Sequence, residues 1–183
     1  KFQNLIYNTR SKMKYVLKSK KSYQLSIKEI KEICVLKDSH YKYGIKSQNK
    51  WFKTHIKRND IHNIILINSE LVGYTCLRKY NFILNKISNK YLRFDTLIIK
   101  KNYRKKGLSS VLMALNNQII KKNNMPSFLL CKKSVVSFYK NYNYQILNLN
   151  KYYLYKYKKK KTIKKIGMIF NNKKNKRKYF FLY

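Results

Sequence analysis

The spacing of apolar residues changes repeatedly along this chain, and each change predicts an element. "MKYVLKSKK" (13–21) reads as a first strand. In "SIKEIKEICVLKD" (26–38) the spacing becomes helical. Ile27, Ile30, Ile33 and Cys34 fall on one face, and Ser26 and Glu29 stand at capping-box distance. "SQNKWFKTHIKR" (47–58) predicts a second helix. "HNIILINSELVGYTCLRKY" (62–80) predicts a hairpin: two apolar runs turn at "NSE", with Gly73 inside the second strand. "YLRFDTLIIK" (91–100) is a further strand. After "NYRKKG" comes a helical stripe of Leu108, Val111, Leu112, Leu115 and Ile119, all expected to be buried. "PSFLLC" (126–131) is a strand, and "KSVVSFYKNYNYQIL" (133–147) a helix running into a last strand. No apolar run approaches the ~18 residues needed to span a bilayer as a helix.

Strands and helices in this alternation, over about 150 residues, make one α/β domain: residues 1–150. From 151 to 183 the character changes. This segment holds 13 of the 44 Lys and Arg residues and no acid, with tyrosines and phenylalanines between them. The whole chain carries only six acidic residues, for a formal net charge of +38. Lys, Asn, Ile, Tyr and Phe abound beside one Ala and one Pro, a composition that points to an AT-rich genome. Codon bias accounts for lysine but poorly for the loss of acids. A free protein so charged repels itself and binds polyanions, and RNA phosphates relieve that repulsion.

Cys34, Cys76 and Cys131 lie far apart and form no CxxC pair, which fits reduced, buried small hydrophobes. His40, His55 and His62 lack the spacing of a zinc motif, so no metal is expected. The informative loop is "RKKGLS". A strand ends before it and a helix begins within it, so the helix's first N–H groups lack partners and its dipole favours an anion. Gly107 allows close backbone approach, and Arg104, Lys105 and Lys106 add charge. Two readings of the loop stand: a phosphate cradle, or a glycine that merely breaks strand from helix among solvated lysines.

Two motifs carry a family resemblance. Arg104, Gly107 and Ser109 stand where the GNAT acetyltransferases have Arg/Gln-x-x-Gly-x-Gly/Ala after a strand. "KKSVVSFYKNYNY" then resembles the family's later helix, with Phe138 and Tyr139 in register, Val135 for Ala and Tyr144 for the final aromatic. It departs at Lys132, where the family has Asn, and at Asn143, where it has Gly; Asn143 can still take the left-handed turn. The resemblance implies a GNAT-like mixed central sheet flanked by helices, here with a basic C-terminal extension. It also implies acetyl-CoA or CoA, retained or vestigial, at Ile99, Arg104, Lys105, Lys106, Gly107, Leu108 and Ser109. Tyr139 would be the general acid, protonating the departing thiolate, and Asp95 the base for an amine.

Two functions compete. The charge favours a structural rRNA-binding component of a mitochondrial ribosome, built on the acetyltransferase fold and located in the matrix among neighbouring ribosomal proteins. Its RNA contacts would be Lys158, Lys159, Lys160, Lys161, Lys164, Lys165, Lys173, Lys174, Lys176, Arg177 and Lys178, with the rings stacking on unpaired bases. The alternative is an active N-acetyltransferase with a basic localisation tail, in the cytoplasm of an AT-rich organism. Deleting 151–183 separates the two. If RNA is the partner, each phosphate contact removed lowers the slope of log K against log salt by ~0.7 to 0.9. Loss of six contacts then shifts a titration on ribosomal RNA by about four to five units of slope; identical slopes with and without the tail refute its RNA role.

Overall fold

The computed structural model describes residues 5–8, 13–84, 87–147, 152–156, 159–161, 165–171 and 180–182. The chain divides into two compact units, Lys1–Arg78 with Thr96–Asn116, and Lys79–Asp95 with Asn117–Tyr183.

In the first unit, β1 (Leu5–Asn8), β2 (Lys14–Lys21), β3 (Ile61–Ile67) and the part of β4 (Glu70–Leu84) up to Arg78 pair antiparallel in that order; the rest of β4 belongs to the second unit. Strand β1 has no counterpart in the sequence reading; the other three match it. The β3–β4 hairpin turns on Asn68 and Ser69, both left-handed (φ 48° and 64°). This two-residue geometry suits the twist of the flanking strands. Helix α1 (Ile27–Tyr41) starts as predicted. Ser26 Oγ accepts from the Glu29 N–H at 3.1 Å, and Glu29 Oε2 accepts from the Ser26 N–H at 2.8 Å. Such a cap contributes about 1 kcal/mol. Asp38 then accepts from the Gly44 N–H at 2.7 Å, fixing the turn into α2 (Ile45–His55).

Helices α1 and α2 bury Ile33, Cys34, Leu36 and Phe52 with Ile64, Leu71, Tyr74, Cys76 and Ile98 of the strands. Strand β5 (Ile87–Ile99) ends in this unit, and helix α3 (Leu108–Lys122) begins here. A second cluster collects Tyr15, Ile65, Ile67, Val72, Ile99, Leu108 and Leu112. Gly73 makes that packing possible: a Cβ there would lie 3.0 Å from Ile99 Cδ1, 3.2 Å from Leu112 Cδ1 and 3.3 Å from Ile65 Cβ. Of the predicted α3 stripe, Leu108, Leu112 and Ile119 are buried, while Val111 and Leu115 are only half-buried. The buried line runs instead through Met113, Asn116 and Ile120. Asn116 turns inward because β3 and β4 supply donors: Asn63 Nδ2 at 2.5 Å and Thr75 Oγ1 at 2.9 Å.

In the second unit, β5 and β6 (Ser127–Cys131) are parallel, in register at Leu92 with Ser127 and Arg93 with Phe128. The segment predicted as a helix running into a strand is a 3-10 turn, a short helix α4 (Val136–Lys140) and β7 (Gln145–Leu147). Asn143 is left-handed (φ 64°), the conformation expected of it. One element lies where the sequence reading placed only tail. Ile166–Phe170 is β10, a buried strand antiparallel to β6 over five residue pairs and to β7 over three. "IGMIF" is an uncharged apolar run that lysines on both sides obscure in the sequence. The tail therefore cannot be wholly an unfolded arm. Three more strands lie in the tail, β8 (Tyr152–Lys156) and β9 (Lys159–Lys161) before β10 and β11 (Phe180–Leu182) after it, and β11 pairs with Phe82 and Ile83 of β4. Among the described residues no helix is long and apolar enough to cross a membrane. All three cysteines are free and buried, as expected, and burial raises the thiol pKa of Cys34 and Cys131.

His62 is fully buried in the first unit, with Nε2 at 2.8 Å from Ser22 Oγ and Nδ1 at 2.8 Å from the Tyr74 hydroxyl. Burial, and then the charges of Lys37 and Arg78, lower its pKa to about 3. The folded state keeps the ring neutral, whereas the unfolded chain takes up a proton below its ordinary ~6.5. This contribution is complete above that pH and is lost as pH falls from 6.5 toward 3. Denaturant titration should show roughly 2–3 kcal/mol lost from this group between pH 7 and pH 4.5. His62→Gln should be less stable at pH 7 and should flatten that part of the pH dependence; an unchanged slope would contradict the assignment.

Candidate functional site

The first unit builds its site where β5 hands over to α3. Pairing continues one residue past the strand, with the Lys100 N–H donating to the Val72 carbonyl at 2.8 Å. The chain then tightens into a 3-10 turn over Lys101–Tyr103. Arg104 folds back, its Nε donating to the Ile99 carbonyl at 3.0 Å, so this arginine clamps the loop to the strand end. Lys105 (φ 60°) and Gly107 (φ 79°) are both left-handed. Alternating backbone hands of this kind turn successive N–H groups toward one concave side. A Cβ on Gly107 would meet nothing within 4 Å, so its positive φ, and not crowding, selects glycine.

The helix's own bonding begins late. The Ser110 and Val111 amides both donate to the Gly107 carbonyl, at 3.0 and 3.3 Å. Among the described residues, the amides of Lys105, Lys106, Gly107, Leu108 and Ser109 have no backbone acceptor. Five consecutive donors at the positive end of a 15-residue helix have the chemistry to receive a phosphate or diphosphate. They border a cleft of about 250 Å³ whose walls are Leu97–Ile99, Tyr103–Lys105 and Gly107–Ser109, with His40 from the end of α1.

Of the residues expected to hold a cofactor, Ile99, Arg104, Lys105, Gly107, Leu108 and Ser109 line this cleft. Ile99 and Leu108 bury their side chains in the core, so their contribution is backbone. Lys106 instead lies over the Tyr103 ring, 5.5 Å from its centre. Sequence reasoning missed His40: only the fold brings the end of α1 here. It also missed Tyr103, whose hydroxyl donates to Glu70 Oε2 at 3.0 Å, while Lys100 pairs with the other carboxylate oxygen. These bonds hold Glu70 below the usual carboxylate pKa and raise that of Tyr103.

The two candidate catalytic residues belong to the second unit. Asp95, on β5, pairs with Arg93 two residues earlier on the same strand face, Oδ1 to Nε 3.4 Å. Tyr139, on α4, is half-buried in an aromatic group. Phe94 meets its ring edge-on at 6.0 Å and Tyr144 at 5.9 Å. Tyr144 is buried, donates to Ser127 Oγ at 3.2 Å, and is held well above the usual phenol range by burial. Of the candidate RNA contacts, Lys158, Lys164, Lys173, Lys174, Lys176, Arg177 and Lys178 lie outside the described residues. Lys159–Lys161 form the backbone of β9, and Lys165 is exposed beside β10. Among the described residues no three His, Cys, Asp or Glu side chains gather as a metal site would require.

The model of the acetyltransferase (GNAT) family matches residues 27–144. No curated protein matches the chain. Solved structures share its fold at low identity. One is a GNAT family N-acetyltransferase (YhbS) from Escherichia coli in complex with CoA, with a TM-score of 0.66 and 8% identity, covering 93% of this chain and 91% of that one. A second is an acyl-CoA N-acyltransferase from Pseudomonas aeruginosa, with a TM-score of 0.62 and 14% identity, covering 84% and 97%. A third is the PaiA N-acetyltransferase from Thermoplasma acidophilum in complex with coenzyme A, with a TM-score of 0.53 and 15% identity, covering 84% and 97%. At such identities the likeness is one of fold.

Proposed function

The chain belongs to the acetyltransferase (GNAT) family, and we propose that it binds coenzyme A at the Lys105–Ser109 cradle and transfers an acetyl group to an amine. The observation that carries this reading is the run of five amides without a backbone acceptor, on a loop with two left-handed residues at a helix start. Such donors fit a diphosphate, and Lys105, which lines the cleft, adds positive charge beside it. Bound there, the coenzyme would supply an activated acyl thioester. The family motif gives Tyr139 the role of proton donor to the departing sulfur, and Asp95 that of proton acceptor from the amine. Asp95 would act from its pair with Arg93.

The second reading, a ribosomal RNA-binding component of mitochondria with neighbouring ribosomal proteins, rests on one observation. That observation is the net charge of +38 with six acids. It competes for the chain's exposed lysines and leaves the cradle unexplained, so acyl transfer ranks first.

Calorimetric titration with coenzyme A tests the cradle. Forcing a β-branched side chain into the left-handed region costs on the order of 1–3 kcal/mol, so Gly107→Val should raise the Kd about tenfold or more. An unchanged Kd in the folded variant, or no binding by the wild type at millimolar coenzyme, would reject the site. Tyr139→Phe should leave coenzyme affinity intact and lower kcat for acyl transfer by ~100-fold or more; an unaltered kcat would remove Tyr139 from the chemistry.

A further inference from the structure

Six acidic residues serve a chain with 44 cations, and five of the six are engaged. Glu29 binds Lys20 at 2.6 Å, and Asp38 accepts from the Gly44 N–H. Asp60 accepts from the Lys57 N–H at 2.8 Å and pairs with Arg78. Glu70 holds Lys100 and Tyr103, and Asp95 pairs with Arg93. Glu32 is the exception. On α1, half-buried, it has no hydrogen-bond or ion-pair partner among the described residues.

Glu32 opens onto a cleft of about 620 Å³ in the first unit, next to the cradle and sharing His40 and Arg104 with it. One wall is α1, with Glu32, Val35 and Leu36; Leu71 adds to the apolar floor. The cleft is also lined by Lys31, Lys100, Lys101, Arg104 and Glu70. Val35 is 57% exposed at the edge of this cleft, so its side chain is available to an apolar ligand body. Lys100 is neutralised by Glu70, whereas Lys101 has no described anionic partner. Arg104 commits only its Nε to the Ile99 carbonyl.

We propose that this cleft binds a small zwitterion of the α-amino-acid kind, with an aliphatic or aromatic side chain. Its ammonium would meet Glu32, its carboxylate Lys101 and the terminal nitrogens of Arg104, and its apolar body Val35, Leu36 and Leu71. The mixed lining favours a ligand that carries both charges. A pure anion would face the Glu32 carboxylate, and a pure cation would face Lys101 and Arg104; a ligand carrying both charges satisfies both walls.

The test is calorimetry of the full chain with L-leucine and L-phenylalanine, beside isoamylamine, which lacks the carboxylate, and N-acetyl-L-leucine, which lacks the ammonium. A charge-assisted hydrogen bond contributes about 1.5–3 kcal/mol, so each truncated probe should bind about tenfold or more weakly than leucine. Glu32→Gln, an exchange on a helix surface, should weaken leucine to the same extent and leave coenzyme A affinity unchanged. Equal binding of leucine and N-acetyl-leucine, wild-type affinity in Glu32→Gln, or no amino-acid binding at millimolar concentration would each overturn the proposal. Coenzyme binding is read separately, so failure here is distinct from failure of the cradle.

Discussion

Close contact between the start of α3 and the strands beneath it is the constraint on which the first unit depends. A side chain at Gly73 would press on Ile65, Ile99 and Leu112, which would have to give way by a few tenths of an ångström. That closeness sets how far Leu108 sits from the end of β5, and hence how tightly Lys100–Gly107 must turn. A loop so constrained satisfies its chain direction with two left-handed residues, and these expose the amides of the cradle. Packing thus comes first and the anion site follows from it. The same contact explains why Asn116 is tolerated among apolar neighbours: at this distance Asn63 and Thr75 can reach it.

Charge is organised by scarcity. With so few carboxylates, several hold structural places: a helix cap at Glu29, a helix–helix turn at Asp38, a buried arginine at Asp60. Surface ion pairs contribute little to stability, so the fold loses little by lacking them. Its interior makes up the difference with neutral bonds, among them the Ser22–His62–Tyr74 chain. Lys37 and Arg78 share the Trp51 ring, at 3.3 and 5.3 Å from its centre, a use of aromatic surface that suits a chain rich in cations and poor in anions.

Much of this was legible in the residues. Ser26 and Glu29 announce α1, "NSE" announces the hairpin, and Gly107 after three basic residues announces the loop, because each depends on local chemistry. What escaped depends on distant partners. The α3 stripe is rotated from the pattern read off its leucines, since Asn116 finds donors on two strands and turns its face inward. His40 reaches the cleft only through the course of α1. Strand β10 was hidden because five uncharged residues among lysines carry too little periodic signal to outweigh their surroundings. Glu32 is conspicuous only once the other five carboxylates have been matched to partners.

The position of β10 bears on how the protein is made. Strands β6 and β7 are complete by residue 147, yet the strand that hydrogen-bonds to both arrives some twenty residues later. During synthesis the second unit therefore waits with two unpaired strand edges, a state prone to pairing with other chains. The lysines that separate β7 from β10 emerge during that interval, and their mutual repulsion discourages such encounters. The lysine-rich stretch thus precedes the last two strands of the second unit, β10 and β11.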